Sequence, residues 1–269
     1  MRLSVVITTR NEAANIADCI RSFDAVRDAV EVIVVDNAST DETKAIAAAA
    51  GARVFDRGPE RNAQRNFGWR QAVSDWVLVL DADMLIPRPL LDEILAVTGG
   101  GGDADAYWIP EVRTGSGLRV KARNFERSFY DGTCIDAFRL FRRSVLERVG
   151  GYDEEIIAGG EDWELDIRIQ ASGAAYGLLK NPLLHNEKRL TLAKMLAKKA
   201  YYTKSFAVYR RKWPDHPSVR KQFSAYYRLC GVFVERGKWK KILRHPILFC
   251  VMMFERFLVG FTYLKNRRA

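Results

Sequence analysis

Cysteine is scarce, with 4 in 269 residues. Cys19, Cys134, Cys230 and Cys250 have neither the density of a disulfide scaffold nor the paired spacing of a zinc site, so a reducing compartment is expected. Glycine-rich phosphate signatures are also missing: there is no Gly-x-Gly-x-x-Gly and no Gly-x-x-x-x-Gly-Lys-Ser/Thr. A dinucleotide fingerprint and a phosphate-cradling loop are thereby excluded, and any bound diphosphate would need a metal to neutralise it. No internal repeat is visible. Met1-Arg2 passes directly into Leu3-Ser-Val-Val-Ile-Thr8, which lacks the charged start, longer apolar stretch and cleavage site of a signal peptide. The expected location is the cytosol, peripheral on the inner face of the cell membrane.

What is present is charge, unevenly divided. The net charge of +10 hides 22 Lys and Arg against 29 Asp and Glu in residues 1–184, and 21 against 4 from His185 onward, a balance of +17 for that tail. Two regions follow, 1–186 and a basic helical 187–269, and the second should seek an anionic surface.

The first region alternates strands and helices. Leu3–Thr8 is a β-branched run, and Glu12–Phe23 then places Ile16, Cys19, Ile20 and Phe23 on one helical face. Residues 31–36 read as a second buried strand. Ser39-Thr-Asp-Glu42 opens an Ala-rich helix with capping chemistry, closing at Gly51. Short strands at 53–55 and 76–80 and helices at 61–74 and 87–97 continue the alternation. The fold class expected is α/β, a Rossmann-like, mostly parallel sheet with helices on both faces.

Polar residues collect where strands end. Thr8, Thr9, Asn11 and Glu12 close the first strand, Asp36 and Asn37 the second, and Asp81 and Asp83 the fourth. In open α/β sheets that edge binds ligands, and short donors and acceptors there suit a nucleotide. Side chains two apart on an extended segment point the same way, so Asp81 and Asp83 can approach one divalent ion together. Arg61 and Arg65 precede that strand and can assist with phosphate charge. A second Asp-x-Asp, Asp103-Ala-Asp105, follows four glycines and reads as a solvated loop.

Val5-Val-Ile-Thr-Thr-Arg-Asn-Glu12, Val34-Val-Asp-Asn-Ala-Ser-Thr-Asp-Glu-Thr43, Arg65-Asn-Phe-Gly68, Leu80-Asp-Ala-Asp83 and Gly160-Glu-Asp-Trp-Glu-Leu-Asp166 occur in order. Together they resemble the motifs of family 2 glycosyltransferases, which have the GT-A fold. The resemblance implies a metal-dependent, inverting sugar transfer from a nucleotide-diphosphate donor. It gives Asp83 as a direct ligand of Mn2+ or Mg2+, Asp81 beside ribose and metal, and His185 completing the metal site. Asp36 would help hold the base, and Ala82 and Arg65 join Thr8, Thr9, Asn11, Glu12 and Asn37 around the nucleotide. Asp162, at the start of a helix, matches the base that takes the acceptor proton; Glu161 and Trp163 beside it would meet the acceptor. Many relatives carry two aspartates after the second strand, where this chain has Asp36-Asn37. Uridine and thymidine diphosphate sugars are preferred, with guanosine left open. His216 and His245, each beside proline, read as turn residues.

In the tail, residues 188–213 read as a basic amphipathic helix with Leu192, Met195, Leu196, Tyr202, Phe206, Tyr209 and Trp213 along one stripe. The apolar run 247–264 is broken by Glu255-Arg256 and flanked by basic residues, which favours a helix lying in a membrane interface, with Phe249, Met252, Met253, Phe257 and Phe261 in lipid. Packing of these helices on the first region is the alternative. The acceptor expected is a glycan or lipid-linked glycan. Two other readings stand beside this one: a polyprenyl-phosphate sugar synthase, whose anionic acceptor needs no base, and a nucleic-acid-binding protein with a vestigial first region. The second leaves the ordered strand-end carboxylates unexplained, so no nucleic-acid partner is expected.

Overall fold

The computed structural model describes residues 2–157, 159–186 and 205–266. Three apolar runs become fully or almost fully buried strands, β1 (Leu3–Thr9), β2 (Val30–Asp36) and β4 (Trp76–Asp81), joined at the edge by the short β3 (Arg53–Asp56). These four lie parallel in the order β3-β2-β1-β4. Near-continuous apolar sequence is what a parallel strand covered on both faces requires.

The two faces separate by the strand period of two. Leu3, Val5 and Ile7 face α1 (Ile16–Arg21) and α4 (Arg88–Ala96), whereas Val6, Ile33 and Val35 face α3 (Arg61–Gln71). Gly68 lets α3 approach closely, because a Cβ there would stand 2.3 Å from Val6 Cγ1.

Beyond β4 the sheet turns mixed. β8 (Phe138–Arg142) runs antiparallel to β4 and to β6 (Ala106–Trp108), and β9 (Tyr176–Leu178) lies parallel to β6. A second sheet sets β10 (Leu183–His185) between β5 (Met84–Leu85) and β7 (Glu111–Arg113). The helices of this half are α5 (Leu118–Arg127), α6 (Arg143–Val149) and α7 (Glu161–Ala171).

Several sequence expectations shift. The first helix is confined to α1, and the helix expected from Ser39 is α2 (Thr43–Ala49), which has no side-chain cap. Asp41 instead makes a local turn, its carboxylate accepting from the Thr43 backbone at 3.1 Å.

The tail shares core with the first region. Tyr227, Val232, Phe233 and Met252 pack against Phe125, Phe129 and Ile135, while Tyr209 and Val219 pack against Ile156 and Ile167. The helix Pro246–Asn266 lies along α5: Arg119 Nε meets Glu255 at 2.8 Å and Arg256 Nη1 meets Glu126 at 2.5 Å. The charged pair that interrupts the apolar run thus serves intramolecular ion pairs. Phe249, Met252 and Met253 face protein and not lipid; Phe257 is exposed, and the Phe261 side chain lies outside the described residues. So does most of the helix expected at 188–213, of which Phe206–Lys212 is described. Among the described residues, no helix is long and apolar enough to cross a membrane.

Candidate active site

Strand register brings the strand-end residues together. Thr8 pairs with Asp81 across β1 and β4, and Thr9 with Asp36 across β1 and β2. A cleft of about 720 Å³ opens there, lined among others by Thr8, Thr9, Glu12, Asn37, Asp81, Ala82, Asp83, Glu161, Asp162, Trp163 and His185.

Asp81 and Asp83 do not share one orientation, because β4 ends at Asp81 and Asp83 lies in the turn before β5. Asp81 Oδ1 accepts from Thr8 Oγ1 at 3.1 Å and lies 3.5 Å from Arg65 and 3.9 Å from Arg61. Burial would raise its pKa, but Arg61 and Arg65 outweigh that and hold the carboxyl well below the ordinary range. Asp83 meets His185 instead, Oδ2 to Nε2 at 3.1 Å. The pairing of His185 with Met84 across β10 and β5 sets this contact, and Asn186 N donates to the Asp83 carbonyl at 2.7 Å.

His185 Nδ1 lies 3.8 Å from Glu111, which also accepts from Arg139 at 2.7 Å and Arg127 at 2.9 Å. Burial disfavours an imidazolium, yet hydrogen bonds to Asp83 and Glu111 push His185 up to about 9. Asp83 and Glu111 thus hold the imidazole from its two nitrogens and fix its orientation.

Asp162 stands in the first turn of α7, behind Gly159 and Gly160, both at positive φ. A Cβ at Gly160 would meet the Tyr209 ring at 3.3 Å, so this entry to the helix suits glycine twice over. Asp162 Oδ1 takes Arg65 Nη1 at 2.7 Å. Arg65 is 1% exposed, lies over the Tyr152 ring, and ties Asp162 to Asp81 from beneath the cleft. Glu161 is buried, and burial followed by the Asp162 charge pushes its carboxyl up. Trp163 donates Nε1 to the Ile135 carbonyl at 3.0 Å and stacks on Phe206, giving the cleft an aromatic wall.

Three expected nucleotide residues do not line the cleft. Asp36 is fully buried and uses both carboxylate oxygens on Ser39. Asn11, at φ 54°, exchanges hydrogen bonds with Ser39 and Thr40. These two join the β1 and β2 loops, while Arg65 works from below. Asn37 does line the cleft, and its Nδ2 donates to the Pro59 carbonyl at 2.5 Å. Sequence reasoning missed the opposite wall: Glu111, Arg113, Arg123, Arg127, Tyr130, Arg139 and Arg228. Only the basic character of 119–127 signalled it.

This sheet order, with a carboxylate-terminated central strand over the cleft, defines a GT-A fold. The Glycosyl transferase family 2 model matches residues 4–150, more than half of the chain, and the chain belongs to that family. A mannosyltransferase from Pyrobaculum calidifontis, solved with GDP-Man and Mn2+, superposes with TM-score 0.62 over 96% of this chain and 80% of its own at 21% identity. Glucosyl-3-phosphoglycerate synthase from Mycobacterium tuberculosis, solved with Mn2+, UDP-glucose and phosphoglyceric acid, gives TM-score 0.57 at 20% identity, covering 78% and 79%. At these identities the likeness is one of fold. In sequence, an uncharacterized glycosyltransferase of Rickettsia felis is 44% identical over 95 residues, 35% of this chain and 32% of that protein. The mycobacterial synthase is 36% identical over 99 residues, 33% and 31%. The chain thus spans about a third of the length of the curated relatives it matches.

Proposed function

We propose that the chain is a metal-dependent, inverting glycosyltransferase. It moves a sugar from a nucleotide-diphosphate donor to a hydroxyl of a glycan or lipid-linked acceptor, at the cytoplasmic face of the membrane. The observation that carries this reading is the convergence on one cleft of strand-end polar groups, the Asp83–His185 pair and Asp162.

Among the described residues no group of three or more His, Cys, Asp or Glu gathers to hold a metal. Asp83 and His185 nonetheless fit Mn2+ or Mg2+ as a partial site that keeps positions for phosphate oxygens and water, with Asp81 alongside. When bound, the ion stabilises negative charge on the diphosphate leaving group. The chain's own groups do the rest. Thr8, Thr9, Glu12 and Asn37 face the nucleotide, and Asn37 offers a donor and an acceptor to the base. Uridine or thymidine donors are preferred and guanosine remains open; the relatives' complexes hold both GDP-Man and UDP-glucose. Arg65 orients Asp162, which takes the proton from the attacking hydroxyl. Glu161 and Trp163 belong to the acceptor side. The membrane location is supported by exposed apolar side chains on the tail helices, Leu243, Ile247, Phe254 and Phe257.

Asp162→Asn tests the chemistry. The shape is kept and the base is lost, so turnover should fall by about 10² or more while donor affinity holds. Near-normal turnover would count against a base at this position and favour an acceptor that is already an anion.

A further inference from the structure

The wall of the cleft formed by β7, α5 and the segment around Arg228 is built from guanidinium groups. Arg113, Arg123, Arg127 and Arg228 all line it. Among the described residues the carboxylates at this wall are shared: Glu111 serves Arg127, Arg139 and His185 together, and Glu126 serves Arg123 and Arg256. Asp136 lies 3.9 Å from the Arg127 guanidinium, and burial pushes its carboxyl up, to about 7.

Two donors in this wall are unsatisfied. Arg127 Nε and Arg228 Nη1 are buried with no hydrogen-bond partner among the described residues. Leaving a buried donor on a charged group unpaired is unfavourable, because its desolvation is not compensated. The expected nucleotide groups sit on β1, β2 and β4, so these four cleft-lining arginines belong to other elements than the donor side. A planar guanidinium pairs in forked geometry with phosphate or carboxylate, whereas a neutral sugar hydroxyl offers no compensating charge.

We propose that the acceptor carries a phosphate group, bound by Arg113, Arg123, Arg127 and Arg228, while its nucleophile faces Asp162. This rests on the glycosyltransferase reading and names the acceptor class for it. The phosphate belongs either to a soluble phosphorylated molecule or to a phospholipid-type carrier, and the chemistry of recognition is the same.

The test uses the full chain saturated with UDP and Mg2+, titrated with inorganic phosphate and, separately, with phosphatidylcholine vesicles containing phosphatidic acid, at constant ionic strength. Calorimetry should show binding of at least one probe. Arg228→Gln and Arg113→Gln should each weaken it at least about tenfold, with UDP affinity kept within about twofold. Phosphate binding alone identifies a soluble acceptor, and Arg-dependent vesicle binding alone identifies a lipid-borne one; both support the site. The proposal is overturned if neither probe binds, if the substitutions leave binding unchanged, or if they weaken UDP equally, which would assign the arginines to the donor diphosphate. Failure of wild-type protein to bind UDP would count against the donor reading instead, and the anion titrations are then run without nucleotide. Near-UV circular dichroism establishes that each variant is folded.

Discussion

Single residues in this cleft divide between those that face it and those that hold it. Asp81 and Asp162 are drawn together by the buried Arg65, so their positions depend on a side chain with no access to solvent. The Asp-x-Asp motif was legible because an apolar strand stops at carboxylates. The role of Arg65 was not, since a helical arginine reads as exposed and its burial depends on Asp162, 97 positions away in sequence. Asp36 and Asn11 carry the same lesson: polar residues at strand ends mark the right edge, but sequence does not separate those that cap loops from those that meet a ligand. Among the described residues, the Asp83 side chain meets His185. If Asp83 is the metal ligand proposed above, Asp83→Ala should abolish metal-dependent nucleotide binding while leaving the fold intact, because its described side-chain partner is His185. Isothermal titration of UDP in Mn2+ decides this; affinity equal to wild type would remove Asp83 from the metal site.

At the scale of elements, legibility follows the range of the interactions. Helices and strands up to β4 announce themselves through local period and turn chemistry, and the structure keeps them with boundary shifts of a few residues. β6, β7, β9 and β10 have three residues each, too few for a period, and exist only through pairing with distant partners. The arginine wall was hidden for the same reason. α5 is fixed from the far end of the chain, by Arg256 on Glu126 and Glu255 on Arg119. Burial alone would push the Glu126 carboxyl up, but Arg256, Tyr130 and Arg123 hold it below its ordinary value. A depressed folded-state pKa contributes stability that is present above the unfolded value and lost as pH falls through the folded one. Glu126→Gln should destabilise the protein by about 1.5–3 kcal/mol at pH 7, the range for hydrogen bonds to charged groups. The difference from wild type should shrink progressively below about pH 4.5. Urea denaturation of both proteins across that range measures it, and a pH-independent difference would show that packing, not charge, sets the effect.

For the whole molecule, the charge asymmetry and the tail's surface belong together. Residues from His185 onward carry 21 Lys and Arg against 4 Asp and Glu. Leu243, on the helix Trp239–Arg244, and Ile247, on the helix Pro246–Asn266, are each 70% exposed; Phe254, two turns on from Ile247, is 69% exposed, whereas Met252 and Phe249 pack in the core. Lys240 and Arg244 are exposed beside them. An apolar stripe rimmed by cations is the pattern of a helix resting on an anionic bilayer. Each Lys or Arg near such a surface contributes about 1 kcal/mol, and that attraction decays within a Debye length, so salt weakens it while apolar insertion persists. Removing the tail is a poor test, because Tyr209 and Phe233 would leave the core with it. Substituting Leu243, Ile247 and Phe254 together by Glu leaves that core untouched. Wild-type protein should sediment with phosphatidylglycerol vesicles and be only partly released by high salt. The triple variant should remain in the supernatant at every salt concentration while its near-UV circular dichroism matches wild type. Wild-type protein that stays in solution at low salt would overturn the membrane location and leave a soluble acceptor.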